Sequence, residues 1–235
     1  MNQTLKNIVK RLAGGNLETL RLLNAQLGER SWSQEGEDRI LWRFFNYRTT
    51  GYYVDVGAHH PFRFSNTRLL HKAGWRGMNI DAMPGSMASF RKHRPDDVNL
   101  EIGVSETAGV ARLHVFNEPA LNTFDPDIAA AHANGAWRVE RVVDVALRPL
   151  RDILAEHRPA GPIDLLTVDA EGHDLSVLRS SDWERFRPVV VLAESLGRTI
   201  DDLAADPCAR FMAESGYGVF GKTVNTVMYV DRRTG

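Results

Sequence analysis

Short apolar runs alternate with helix-period segments along most of the chain. "GYYVDVG" reads as a buried strand ending at Asp55, and "SNTRLLHKAG" as a helix closed by Gly74. "WRGMNIDAMP" predicts a second strand ending near Asp81, and Pro84 begins a helix through Phe90 to His93. "DDVNLEIGVS" predicts a third strand. "GVARLHVF" and "WRVERVVDVAL" predict two more, flanking the long loop "NEPALNTFDPDIAAAHANGA". Pro149 opens the helix "PLRDILAEH". "GPIDLLTVDAEGHD" is a strongly apolar strand, "LSVLRSSDW" a short helix, and "FRPVVVLAES" a Val-rich strand of central, parallel character. A helix from Ile200 to Glu214 and two closing strands in "GYGVFGKTVNTVMYVDR" complete the pattern.

Ahead of this lies a helical stretch over residues 3–27, interrupted at Gly14-Gly15, with Leu5, Ile8, Val9 and Leu12 at helical spacing. Ser33 is the expected N-cap of a helix whose apolar face carries Ile40, Leu41, Phe44 and Phe45. The division predicted is therefore an N-terminal helical extension, 1–32, and one domain, 33–235. Strands alternating with helices predict a doubly wound, mostly parallel α/β sheet. Right-handed crossovers bring the strand C-termini to one edge, where such folds bind ligands. The residues to watch there are Asp55, Asp81, Asp169 and Glu194.

Composition narrows the classes. With 235 residues the chain can bury a real core, and a formal net charge of −1 gives no electrostatic surface for nucleic acid. The single cysteine, Cys208, excludes an intrachain disulfide and suits a reducing, cytoplasmic setting, where it reads as a small buried apolar group. No apolar run approaches the roughly 20 residues of a membrane span, and the N-terminus has no signal-peptide pattern.

The turn "VDVGAH" has one glycine after its acidic residue. It lacks both the glycine pattern of a dinucleotide site and the lysine of a phosphate loop. An acidic-Gly turn after the first strand, with an acidic end on the second, points to a nucleoside without a phosphate chain. S-adenosylmethionine fits. Around the fourth strand, "LLTVDAEGHDL" gathers Asp169, Glu171, His173 and Asp174, four titratable groups that are costly without partners or a task. Asp174 is also the expected N-cap of the helix that follows.

"SQEGED", "YVDVGAHHPFRFSNT", "GWRGMNIDAMP", "IGVSETAG", "NTF", "IDLLTVDAEGHDLSVLRSSDW" and "RPVVVLAES" follow one another in that order. Together they resemble the FkbM family of S-adenosylmethionine-dependent methyltransferases, over roughly Ser33 to Leu196. The resemblance implies a class I methyltransferase fold, a seven-stranded sheet whose last strand is antiparallel. It implies that Asp55, Val56, Gly57 and Ala58 underlie the methionine part of the cofactor. Asp81 would take the ribose hydroxyls, Ala82 and Met83 flank the adenine, and Gly103, Val104 and Ser105 cover its other face. Gln34 and Glu35 would reach the site, and Asp169 faces it from the fourth strand. Many family members carry glycine-alanine-asparagine after the first-strand aspartate. His59, His60 and Pro61 stand there in this chain, a variant similar to one in a glycan-linked branch.

The activity so implied is O-methylation of a sugar hydroxyl, in a glycan or a glycosylated natural product. An alcohol needs a base or a metal. His173 is the expected base, with Asp169 beside it and His59 and His60 as rivals. The other route is Mg²⁺ or Mn²⁺ held by Asp169 and Glu194, similar to an arrangement in some sugar methyltransferases. The long loop, with Asn117, Asn122, Thr123, Asp125, His132, Asn134 and Trp137, suits an acceptor lid. The N-terminal helices suit a homodimer interface or a glycosyltransferase partner. The competing reading is a non-catalytic, methyltransferase-like scaffold in a glycan biosynthesis complex.

Overall fold

A computed structural model describes residues 30–133, 135–158, 160–196 and 199–234. The expected N-terminal helices, and Asn134 of the loop, lie outside the described residues. The domain is built on a seven-stranded sheet in the order β3-β2-β1-β7-β8-β10-β9. Its strands are β1 (Tyr52–Val56), β2 (Arg76–Asp81), β3 (Val98–Glu101), β7 (Leu165–Val168), β8 (Val190–Glu194), β9 (Tyr217–Lys222) and β10 (Thr226–Asp231). All adjacent pairs run parallel except those of β10, which is antiparallel to both β8 and β9. The helices of this layer are α1 (Glu37–Phe44), α2 (Arg68–Ala73), α3 (Met87–His93), α5 (Leu150–His157), α6 (Asp174–Arg179) and α7 (Pro207–Glu214). No helix among the described residues is long and apolar enough to cross a membrane.

Strand alternation divides the core. Val54, Val56, Leu166, Val168, Val191 and Ala193 pack on one face with Ile153, Val177 and Met212. Tyr53, Leu165, Val190 and Leu192 pack on the other with Leu41, Leu70 and Trp75. Cys208 is buried in the first of these clusters. Covering both faces is what makes the central strands continuous apolar runs.

Several expectations are corrected. The run "DDVNLEIGVS" is two strands, because β4 (Gly103–Val104) leaves the main sheet and pairs in parallel with β6 (Val139–Arg148). β5 (Gly109–Phe116) pairs antiparallel with β6, so the two strands flanking the loop form a second, three-stranded sheet rather than extending the first. α4 (Pro126–His132) occupies the loop between them. The helix expected at Pro84 starts at Met87, after a turn in which the Glu101 carboxylate accepts from the Gly85 and Met87 amides. The segment from Ile200 is a short 3-10 turn, Asp201–Ala205, and then α7, which Asp206 caps at Ala209 and Pro207 opens. Gly36, with φ 91°, holds the N-cap position of α1; Ser33, three residues earlier, still accepts from the first-turn Asp38 amide at 3.3 Å while donating to the Asp38 carboxylate. His173 holds the N-cap of α6, and Asp174 is its first residue.

Beneath β1 and β2 sits Arg94, fully buried. One of its guanidinium nitrogens donates to Thr67 Oγ1 at 2.8 Å and Asn79 Oδ1 at 3.1 Å; the other donates to the Pro61 carbonyl at 2.8 Å and Ser65 Oγ at 2.9 Å. Thr67 in turn donates to Asp55, and Tyr53 to Asp97, so the cation meets its carboxylates through hydroxyls. Removing a buried charge from such a network strands its partners. Arg94→Met is expected to lower the stability to urea by about 3 kcal/mol or more. A loss under about 1 kcal/mol would show that the network holds without its cation.

Candidate active site

The C-terminal ends of β1, β2 and β7 meet at one point. Gly57 has φ 79°, and a Cβ there would lie 1.7 Å from the Asp169 carbonyl oxygen. The turn after β1 therefore runs hard against the turn after β7, and only glycine permits it. Its own amide and that of Ala58 both donate to the Ile80 carbonyl, at 2.9 and 3.0 Å, tying in the end of β2. The close neighbour that requires this glycine is the chain itself.

Around this crossing opens a cavity of about 170 Å³. One flank is lined by Asp81 at the end of β2 with Ala82 and Met83 after it, by Ile102, Gly103 and Val104, and by Leu113 and Phe124. Both Asp81 oxygens accept backbone amides, from His59 at 2.9 Å and Met83 at 2.8 Å. Burial holds the Asp81 carboxyl above its usual range against those amides. Each oxygen keeps a lone pair for a further donor.

The other flank carries Gln34, His59, Phe64, Asp169, Glu171, His173 and Glu194. One oxygen each from Asp169, Glu171 and Glu194 lie within 4.8 Å of one another. No Lys or Arg among the described residues forms an ion pair with them. Burial is the first cause that raises all three carboxyls, and neighbouring carboxylates add to it: Asp55, Glu37 and Asp81 for Asp169, to about 6; Asp169 and Asp174 for Glu171, to about 8; and Asp169, Glu171 and Asp174 for Glu194, to about 10. Asp174, just behind, rises to about 7 for the same reasons while accepting from the Ala170 and Glu194 amides. Two histidines that line the same cavity are held in the neutral form. Burial lowers His59 to about 4 and also lowers His173. His59 Nε2, His173 Nδ1 and Asp169 Oδ1 are buried without a hydrogen-bond partner. Such orphaned atoms on one cavity wall mark a place built for a ligand.

The cavity brings together Gln34, Val56, Gly57, His59, Asp81, Ala82, Met83, Gly103, Val104, Asp169, His173 and Glu194 from the residues read in the sequence. It leaves out Asp55, whose carboxylate accepts from Thr67 at 2.7 Å on the opposite face of β1. Ala58 is buried against Met87 and Phe90. His60 serves the turn: its Nδ1 accepts from the Phe62 and Arg63 amides, both at 3.1 Å. Glu35 is held by Asn225, whose amide and side chain both donate to it, and Ser105 hydrogen-bonds Ser176.

Of the loop, residues 119–122 and Phe124 line the cavity. Thr123 pins the segment there by donating to the Glu171 carbonyl at 2.8 Å. Asn117 and Asp125 bond within the loop itself. His132 packs on Phe116, and Trp137 is exposed. Phe64, Ile102 and Leu113 were missed. Phe64 lies within a quoted motif, but nothing in its spacing says that the ring turns inward.

The model of the methyltransferase FkbM domain matches residues 55–217, more than half of the chain. The methyltransferase sdnD of Sordaria araneosa is 36% identical over 115 residues, a match covering 39% of this chain and 44% of that one. The crystal structure of methyltransferase FkbM from Methylobacillus flagellatus superimposes with a TM-score of 0.52 at 15% identity, covering 84% of this chain and 48% of that one. The last likeness bears on the fold. The chain spans less than half the length of either relative.

Two outcomes are expected from this geometry. Gly57→Ala, at a positive φ and against backbone, should destabilise the fold by about 3 kcal/mol or more in urea unfolding. Wild-type stability would survive only if the β1 and β7 turns could separate. The second concerns pH. Above about pH 7.5 the unfolded carboxyls, at about 4, and the unfolded histidines, at about 6.5, are almost wholly deprotonated, as are His59 and His173 in the native state. Glu171 and Glu194 still bind protons in the native state, so the native state holds more protons and stability falls as pH rises. The urea midpoint in EDTA should drop between about pH 7.5 and 9.0. A midpoint that rises would place the carboxyls in water.

Proposed function

The chain belongs to the FkbM family of methyltransferases, and from that premise we propose that it is an S-adenosylmethionine-dependent O-methyltransferase acting on a sugar hydroxyl, in a glycan or a glycosylated small molecule. The observation that carries the reading is the presence in one cavity of Asp81, at the end of β2, and neutral His173, with an unpartnered Nδ1, on the opposite flank.

S-adenosylmethionine, when bound, supplies an activated methyl group. The chain's residues position the acceptor and handle its proton. Asp81 accepts the ribose hydroxyls. Ala82 and Met83 on one side, Gly103 and Val104 on the other, form the apolar slot for the adenine. His173 accepts the proton of the acceptor hydroxyl at Nδ1. The lowered pKa keeps the ring neutral at pH 7, the form a base requires. Asp169 and Glu171, acceptors in the same corner, suit an acceptor rich in hydroxyls, and Phe64 gives that flank an aromatic surface. His59 is the second neutral imidazole on the wall and helps to frame the acceptor.

A metal-assisted form of the same reaction is favoured by the carboxylate trio. Three oxygens within 4.8 Å, with no basic side chain among the described residues paired to them, fit a hard divalent cation. Asp169 and Glu194 would hold Mg²⁺ or Mn²⁺ with Glu171, and the ion would polarise the acceptor oxygen.

Calorimetry with S-adenosylhomocysteine tests the reading, first in EDTA and then with Mg²⁺ or Mn²⁺. Asp81→Ala should weaken binding about tenfold or more. His173→Ala should leave that binding intact and lower turnover on a sugar acceptor by about 10²-fold or more. No binding under any condition would move the non-catalytic scaffold to the front. Full turnover in His173→Ala would remove this residue as the base.

A further inference from the structure

The cavity's two outer walls are tied by one ion pair. Arg63 donates from both terminal nitrogens to the two oxygens of Glu118, at 2.8 and 3.0 Å. Arg63 belongs to the turn that presents His59 and Phe64. Glu118 caps the 3-10 turn Pro119–Leu121, all three residues of which line the cavity. The tie therefore joins two walls rather than two arbitrary surfaces.

Its character differs from that of the other bidentate pair in the fold. Arg187 and Asp231 meet at 2.7 Å with side chains only 12% and 5% exposed, far along the sheet from the cavity, and act as a staple. Arg63 and Glu118 are 45% and 20% exposed, so water and salt compete for both partners. The inner end of the same loop is held differently. Thr123 donates to the Glu171 carbonyl, and Asn122 Oδ1 accepts from the Phe116 amide. Residues 118–121 thus lie between fixed anchors at Asn117 and at Asn122–Thr123, with one breakable side-chain tie, that of Glu118, across to the Arg63 turn. The Arg63 guanidinium also lies 4.3 Å over the Phe64 ring, whose side is 38% exposed, so loss of the pair frees that ring too.

We propose that the Arg63–Glu118 pair is the latch of a gate over the active-site cavity, closing residues 118–121 on the His59–Phe64 turn and setting the rate at which the spent nucleoside leaves. This rests on the methyltransferase reading above. Each catalytic cycle must discharge its nucleoside product, and gating motions of this kind often limit turnover. Pairing holds Glu118 ionised, its carboxyl kept below the usual range by the hydrogen bond from Arg63, so the latch stays charged at neutral pH.

The test uses the full chain and radiolabelled S-adenosylhomocysteine chased with excess unlabelled compound. Arg63→Met and Glu118→Gln, the second keeping an oxygen for the Ala120 amide, should each speed release about threefold to fivefold. The double variant should release no faster than Arg63→Met alone, because the ion pair is already lost there. About 0.5 M NaCl should bring the wild type to the variants' rate and leave the variants unchanged. Exchange of the charges, Arg63→Glu with Glu118→Arg, should restore slow release. Additive single effects, or a wild-type rate indifferent to salt while binding is intact, would overturn the latch and leave the methyltransferase reading standing. Failure of the wild type to bind S-adenosylhomocysteine at all would overturn both. Melting temperatures within a few degrees of wild type, as expected for an exposed pair, exclude a folding defect.

Discussion

The contact of Gly57 with the Asp169 carbonyl is the constraint on which the site depends. β1 and β7 are neighbours in the sheet, in register from Tyr53 and Leu165 to Val56 and Val168. Their chains must then turn off the sheet at the same level. With no side chain at position 57 they do so in van der Waals contact, and Asp169, Glu171 and His173 are delivered beside His59 rather than behind it. β2 is drawn to the same point by the two amides donating to Ile80. The cavity is the space these three turns enclose, roofed by the β5–β6 excursion through Leu113 and Phe124. An added methyl group would separate the turns and open that space to water.

The strain stored here has a common location. His59, Phe64 and Glu171 all adopt left-handed backbone, with φ of 50°, 55° and 46°, and all three line the cavity. Bulky residues pay about 1–3 kcal/mol each for such geometry and keep it only where the surroundings enforce it. Arg94 enforces it on one side, through Pro61 and Ser65, and His60 does so through the amides of Phe62 and Arg63. Thr123 enforces it on the other, through the Glu171 carbonyl. The adjacent histidines therefore divide the labour: His60 shapes the turn, and His59 occupies the wall that the turn creates.

Much of this was legible. The alternation of apolar strands and helices carried the doubly wound sheet, and strand ends carried Asp81, Asp169 and Glu194 to the edge where they stand. What failed was facing. In a strand buried on both sides the apolar pattern does not say which face a polar residue takes. Asp55 shares its face with Tyr53, above Arg94, while the cavity side belongs to Val56. The second sheet failed for another reason. Gly103–Val104 continues the third strand in pattern, yet its partner, Leu147–Arg148, lies more than forty residues on, a pairing no local period encodes. The return of residues 119–124 to the cavity follows from that pairing and was hidden with it.

The acidic corner shows how the fold and the chemistry share one cost. Asp169, Glu171 and Glu194 repel one another, and burial denies them water. Such a set is tolerated if protons or a cation neutralise it, or if the domain elsewhere compensates. Neutral His59 and His173 offer the carboxylates no charge. No Lys or Arg among the described residues lines the cavity, and Arg63, on the turn that presents His59 and Phe64, is committed to Glu118. Neutralisation must then come from solvent or from what enters the cavity, so protons, a divalent ion and a hydroxyl-rich acceptor compete for the same three carboxylates. That competition is the physical reason the apo domain gives up stability as these groups ionise, and the same free energy is returned to any ligand that relieves them.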